Sequence, residues 1–247
     1  MLASERRVYI MNCLNNQGIV SLKELAADLN ISEITVRRDL EKLEAAGKLK
    51  RVHGGAARDD ILDNVELTMN SKAHINENAK ELVAKKAAEL VKDGDCIFLD
   101  GGTSIAPLAE YLAPRNVKIV TYNDLILQKI IQPKAEVFII GGTYLPYYMM
   151  NIGPEAQESL KKYHFDIAFF GCSAIDIADR MTFVTNIDSL LMKQIALGES
   201  DQNVLLLDET KLGKRAFMKF VSLDHFDRIF CNRQNTDIRD SKIEFIN

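Results

Sequence analysis

Residues 21–56 read SLKELAADLNISEITVRRDLEKLEAAGKLKRVHGGA, and this stretch decides the fold of the N-terminal quarter. Ser21, followed three residues later by Glu24 and an apolar run, has the pattern in which side chains satisfy the free N–H groups of a first helical turn. Leu22, Leu25, Ala26 and Leu29 recur at helical spacing and give this helix one buried face. Asn30 suits the left-handed residue that ends a helix, and Ile31 is placed to fill the space before the next one. Ser32 caps a second helix, with Val36, Leu40 and Leu43 as its buried stripe. Thr35 and Arg38 fall on the opposite face, flanked by Glu33, Arg37 and Lys42. Gly47 stops that helix. Residues 48–53 then alternate basic with apolar, a strand pattern, and Gly54-Gly55 closes or ends the turn.

Helix, tight turn, helix and basic hairpin, in that order, are the parts of a winged helix-turn-helix. An arginine on the exposed face of the second helix can make a bidentate contact to guanine in the major groove. The Ser32 and Thr35 hydroxyls suit phosphates or base edges. Lys50, Arg51 and His53 on one short ribbon suit phosphates or the minor groove. A single charged pair on a helix is ordinarily a solvated face; the ordered series is what points to double-stranded DNA.

Length and composition agree with this reading. A chain of 247 residues with 47% hydrophobic residues can form one large domain or two smaller ones. It has no apolar run long enough to span a membrane, and the polar start leading into a helix is unlike a signal peptide. Four dispersed cysteines without a Cys-x-x-Cys pair, and four unclustered histidines, point to reduced cytoplasmic thiols and to no metal or other cofactor. The net charge of −4 is unevenly shared. Residues 1–58 carry ten Lys and Arg against seven Asp and Glu, or +3, and the remainder carries 21 against 28, or −7. The basic charge thus sits where the DNA reader is expected.

The expected division is a DNA-binding domain at 1–57, a polar linker at 58–76 and an α/β domain at 77–247. A helix is predicted over 77–91. Short apolar strands are predicted at 96–99, 117–120, 137–140, 167–170, 204–207 and 228–230, and helices at 105–112, 124–131, 154–163 and 187–197. Strands alternating with helices imply a parallel sheet covered on both faces. Ligands of such sheets bind at the C-terminal strand ends. Here the first strand ends in Asp100-Gly101-Gly102-Thr103-Ser104 and the third in Gly141-Gly142-Thr143. Glycines let the backbone approach an anion, and Thr103 or Ser104 is expected to cap the helix that follows. A plain turn with a helix cap would have the same composition. The polar strand ends at 121–123, 171–173 and 208–211 favour a ligand site. Lys211 is a cation just past a strand end, and Lys193, in mid-helix, has the position of an ordinary surface lysine. There is no Walker lysine and no dinucleotide fingerprint.

Thr35-Val36-Arg37-Arg38-Asp39-Leu40, with Leu43, Gly47, Leu49, Arg51 and His53-Gly54-Gly55-Ala56, resembles the N-terminal signature of the DeoR family of bacterial sugar-metabolism regulators. The resemblance continues through Phe98 to Thr103, Val120 to Asn123, Gly141-Gly142, Gly153, Phe165-Asp166, Ala168-Phe169, and Asp208 with Lys211. It implies a C-terminal sensor related in fold to ribose-5-phosphate isomerase that binds phosphorylated sugars. By resemblance Asp100, Gly101, Gly102, Thr103, Ser104, Asn123, Gly141, Gly142, Lys193 and Lys211 line the pocket. The chain departs from the family pattern at Ser104, in place of a second threonine, at Ala178-Asp179-Arg180, where a glycine is expected, and at Ile187-Asp188-Ser189. The expected function is a regulator, most simply a repressor, working as a homodimer or homotetramer on operator DNA. Two alternatives stand beside it. One is a sugar-phosphate isomerase using Asp100 and Lys211 as base and electrophile; the other is a regulator whose second domain only oligomerises.

Overall fold

The computed structural model describes residues 3–17, 19–52, 55–57, 69–233 and 238–247. The chain divides into two compact units, Met1–Ile75 and Asn76–Asn247.

The first unit contains α1 (Ala3–Gln17), β1 (Ile19–Ser21), α2 (Leu22–Leu29), α3 (Glu33–Ala45), β2 (Lys50–Val52), β3 (Gly55–Ala57) and the short α4 (Met69–Ala73). Ser21 caps α2 by accepting from the Glu24 N–H at 3.5 Å, and Ser32 caps α3 by accepting from Thr35 at 3.3 Å. Asn30 and Gly47 take the left-handed conformations that end the two helices. Leu22, Leu25, Ala26, Val36, Leu40 and Leu43 are buried together with Ile10 and Leu14 of α1. The wing is broader than a two-stranded hairpin. β1 joins it, giving the antiparallel order β1-β3-β2. Gly55 is required by this third strand, because a Cβ there would lie 1.9 Å from the Val20 carbonyl oxygen.

The second unit contains α5 (Glu77–Ala88), β4 (Cys96–Leu99), α6 (Ala106–Leu112), β5 (Lys118–Thr121), α7 (Asp124–Leu127), β6 (Glu136–Ile139), β7 (Thr143–Leu145), β8 (Met150–Ile152), α8 (Pro154–Leu160), β9 (Ile167–Phe170), β10 (Ala174–Asp176), β11 (Met181–Val184), α9 (Ile187–Gly198), β12 (Asn203–Leu207), β13 (Met218–Ser222), β14 (Arg228–Asn232) and β15 (Ile243–Ile246). Seven strands form one parallel sheet in the order β15-β14-β12-β9-β4-β5-β6. Alternate residues feed two cores. Ile97, Leu99, Ile119, Ile167, Phe169, Val204 and Leu206 pack on α5 and α6. Phe98, Val120, Ala168, Phe170, Leu205 and Leu207 pack on α8, α9 and Phe220. Winding runs outward from β4 through β5 to β6, then restarts on the other side of β4 with β9. The reversal between β4 and β9 is a topological switch point, where the loops after the strands part and leave a crevice.

Several expectations are corrected. The helices predicted at 77–91, 124–131 and 154–163 stop at Ala88, Leu127 and Leu160. The β7–β8 hairpin, the β10-β11-β13 sheet and β15 were not foreseen. Neither Thr103 nor Ser104 caps α6. The residue before it is Ile105, with no side-chain cap bond, because Ile105 N–H turns back to Gly102 O at 2.9 Å and delays the helix.

Gly55→Ala should lower the stability of the N-terminal unit by about 1–3 kcal/mol, the range for overpacking. Hydrogen exchange at the α2 and α3 amides of the full chain would read this loss. Unchanged protection would contradict the close approach of Val20 to Gly55.

Candidate functional site

On the first unit, α3 presents Glu33, Arg37, Arg38 and Lys42 to solvent, with Ser32 exposed just before it and Thr35 half-buried. Ser32 Oγ and Thr35 Oγ1 lie 2.9 Å apart, so the two hydroxyls share one hydrogen bond. Among the described residues no ion pair holds Arg37 or Arg38. Their neighbour Asp39 is buried and accepts from Arg6 Nε at 2.8 Å, which ties α3 to α1 and fixes the rotation of the arginine-bearing face. Ile34 is 64% exposed, one turn before Arg38. The sequence reading passed over it, yet an exposed apolar side chain there suits a thymine methyl.

Arg51 of β2 is not a loose cation. Its backbone N–H donates to Glu44 Oε1 at 3.0 Å, its Nε to Glu44 Oε2 at 2.7 Å, and its Nη1 to Glu41 Oε1 at 3.0 Å. These bonds hold the Glu44 carboxyl below the usual carboxylate range, chiefly through the Arg51 N–H. The clamp locks β2 to α3. Lys50 lies in the same strand, and His53 falls outside the described residues.

In the second unit the parallel strands bring their C-terminal ends to one edge. Asp100 follows β4 at the switch point and is fully buried. Its Oδ1 accepts from the Tyr122 hydroxyl at 2.7 Å. Its Oδ2 accepts from Gly171 N–H at 2.9 Å and from the Lys193 ammonium. Lys193 also donates to Gly171 O at 2.9 Å. Lys193 is therefore no surface lysine, as its place in mid-helix suggested. It is 5% exposed and reaches from α9 to the β4–β9 seam. Burial first, and then the Asp100 charge, push the Tyr122 hydroxyl well above its ordinary pKa, so it stays a donor.

Gly101, Gly102 and Thr103 form the loop above this pair. A Cβ on Gly102 would sit 3.4 Å from Gly171 Cα, so the two loops touch through glycines. Ser104 Oγ accepts from Lys211 Nζ at 3.0 Å, and Lys211 lies 4.0 Å from Asp208 Oδ2. Asn123 is buried, donates to Gly101 O at 2.8 Å and caps α7 by accepting from Leu125 N–H at 2.7 Å. It positions the loop with both ends of its amide in use. Gly141 and Gly142 are exposed after β6, two strands from β4, and none of the bonds of the Asp100 cluster reaches them. Tyr122, Gly171 and Asp208 lie in the polar strand ends that the sequence marked as favouring a ligand site, without a role of their own being assigned there. Two cations, a hydroxyl and a glycine-rich loop thus lie together at one strand edge, a composition suited to a small anion. Cys172, next to it, is pushed up to about 11 by burial and is inert as a thiolate.

A winged helix-turn-helix followed by a parallel α/β unit with a polar cluster at its strand ends is the layout of a DNA-binding regulator with its own sensor. The chain belongs to the DeoR family: the DeoR-like helix-turn-helix domain matches residues 6–61, and the DeoR C terminal sensor domain matches residues 75–233. It is 32% identical over 240 residues to the lactose phosphotransferase system repressor of Streptococcus mutans, covering 96% of this chain and 95% of the relative. It is 32% identical over 237 residues to the repressor of the same name from Staphylococcus aureus, covering 94% and 93%. Among solved structures, ribose 5-phosphate isomerase A from Methanocaldococcus jannaschii aligns with a TM-score of 0.42 and 23% identity over 56% of this chain and 55% of that one. Among the described residues no helix is long and apolar enough to cross a membrane.

Lys193→Met should destabilise the sensor by about 3–5 kcal/mol, because it strands a buried carboxylate. Asp100→Asn combined with Lys193→Met should recover most of that loss. Urea unfolding of the two full-length variants compares them, and equal destabilisation of single and double variants would contradict the pairing.

Proposed function

We propose that this protein is a repressor of a sugar-utilisation operon, released from its operator when a phosphorylated sugar enters the cradle of the sensor. The observation that carries this is the convergence of Lys211, Ser104 and the Gly101–Thr103 loop over the buried Lys193. Both oxygens of Asp100 are engaged, which favours binding over chemistry: a carboxylate already accepting three hydrogen bonds is a poor general base. The relatives repress a lactose phosphotransferase system, and control by a sugar phosphate is the natural counterpart in this chain.

In this reading the protein works in the cytoplasm as a homodimer or homotetramer. Residues 1–57 grip the duplex, 58–76 link, and 77–247 sense and assemble. Arg37, Arg38, Ser32, Glu33, Thr35 and Lys42 face the major groove. Lys50, Arg51 and His53 serve the flanking backbone. A ligand shifts the protein only by its different affinity for the DNA-competent and DNA-incompetent states.

Two outcomes are expected. Arg38→Ala should weaken specific operator binding by about 1–3 kcal/mol if it reads a guanine; equal loss on operator and random duplex would leave only a phosphate contact. In fluorescence anisotropy with a labelled duplex from the gene's own upstream region and excess random competitor, hexose 6-phosphates or fructose 1-phosphate should release the protein. The unphosphorylated sugars should not, and a complex indifferent to every phosphorylated sugar would overturn the sensing role.

A further inference from the structure

The sensor unit begins at Asn76, whose backbone carbonyl accepts from Lys80 N–H of its own helix at 3.1 Å but whose side chain is bonded to the loop carrying Lys211. Asn76 stands at the N-cap position of α5, yet its backbone is left-handed, φ 54° and ψ 37°, and its side chain makes no cap bond. A capping asparagine normally has extended backbone and accepts from the first helical turn. Here the amide nitrogen donates instead to Asp208 Oδ1 at 3.0 Å and to Thr210 Oγ1 at 3.2 Å, more than 130 residues away in sequence.

Asp208 organises the short turn at Glu209–Lys211. Its Oδ1 accepts from Thr210 N–H at 3.1 Å, and its Oδ2 faces Lys211 Nζ at 4.0 Å. Burial raises its pKa, but Lys211, Thr210, Lys80 and Asn76 together outweigh burial and hold it below the ordinary carboxylate value. Lys211 is thus shared, donating to Ser104 on one side and facing Asp208 on the other. An anion arriving at Ser104 competes with Asp208 for that cation. The carboxylate it leaves behind draws harder on its remaining donors, and one of these is Asn76.

We infer that Asn76 is a positioning residue through which occupancy of the Lys211–Ser104 cradle changes the backbone entering the sensor from the DNA-binding unit. This rests on the reading of the cradle as a sugar-phosphate site. Coupling between operator and sugar is reciprocal, so it is measured as the ratio of operator affinities without and with ligand.

The test uses full-length Asn76→Gly, which tolerates the left-handed backbone but lacks the amide, and Thr210→Val, which removes one acceptor. The probe is galactose 6-phosphate, with inorganic phosphate in parallel. Expected for Asn76→Gly is an operator affinity and a galactose 6-phosphate Kd each within about threefold of wild type, with the release ratio reduced at least tenfold. Thr210→Val should reduce it in the same direction. A merely structural role would instead lower the melting temperature and move both affinities together, which would overturn the inference. Full release retained in both variants would overturn it while leaving the sensing role intact. A wild-type complex released by neither probe nor by any other hexose 6-phosphate or fructose 1-phosphate would defeat both.

Discussion

The sensor depends on one buried ion pair. Placing Lys193 and Asp100 inside a sheet covered on both faces costs several kcal/mol of desolvation per ion, and the attraction repays this only when the remaining hydrogen bonds are made. They are made here by four separate elements. Asp100 follows β4, Tyr122 follows β5, Gly171 follows β9 and Lys193 comes from α9. The pair therefore fixes the spacing of β4, β5 and β9 at the point where the winding reverses. Above it the loops at Gly102 and Gly171 come to backbone distance, where a Cβ on Gly102 would lie 3.4 Å from the Cα of Gly171, an ordinary contact. The proposed ligand cradle would follow from that closure.

The DNA-binding unit uses the same logic at its surface. Asp39 is buried against Arg6 so that the adjacent Arg37 and Arg38 stay outward, and the Glu41–Glu44 clamp on Arg51 sets the wing against α3. The Arg51 pairs are partly exposed, and pairs of this kind contribute little stability. Their value lies in geometry, since a recognition helix rotated by one residue would carry its arginines away from the base edges.

Much of this was legible in the sequence because it was local. The capping serines, Asn30, Gly47 and the buried leucines of α2 and α3 announce themselves by spacing, as do the apolar centres of β4, β9 and β12. The strand ends at 100–104 and 208–211 were legible as polar punctuation after apolar runs. What local pattern alone could not give depends on distant partners, although the family resemblance already placed Lys193 and Ser104 at the pocket. Lys193 has the local surroundings of a surface lysine, and only the sheet order brings it to Asp100, 93 residues away. Ser104 reads as a helix cap until Lys211, 107 residues away, claims its hydroxyl. The β10-β11-β13 sheet joins strands across a helix and another strand, so no hairpin signal marks it. Gly141-Gly142 repeats the Gly-Gly-Thr wording of the first loop, but β6 lies at the sheet edge, away from the switch point.

The proposed control by a sugar phosphate requires the strand-end cradle to recognise a phosphoryl group. The most direct measurement of that recognition is calorimetric titration of the full-length protein with paired phosphorylated and unphosphorylated hexoses, repeated on Lys211→Met. The expected result is saturable binding of the phosphorylated member alone, weakened at least tenfold in the variant. Equal binding of both members of a pair, or binding indifferent to Lys211, would contradict it.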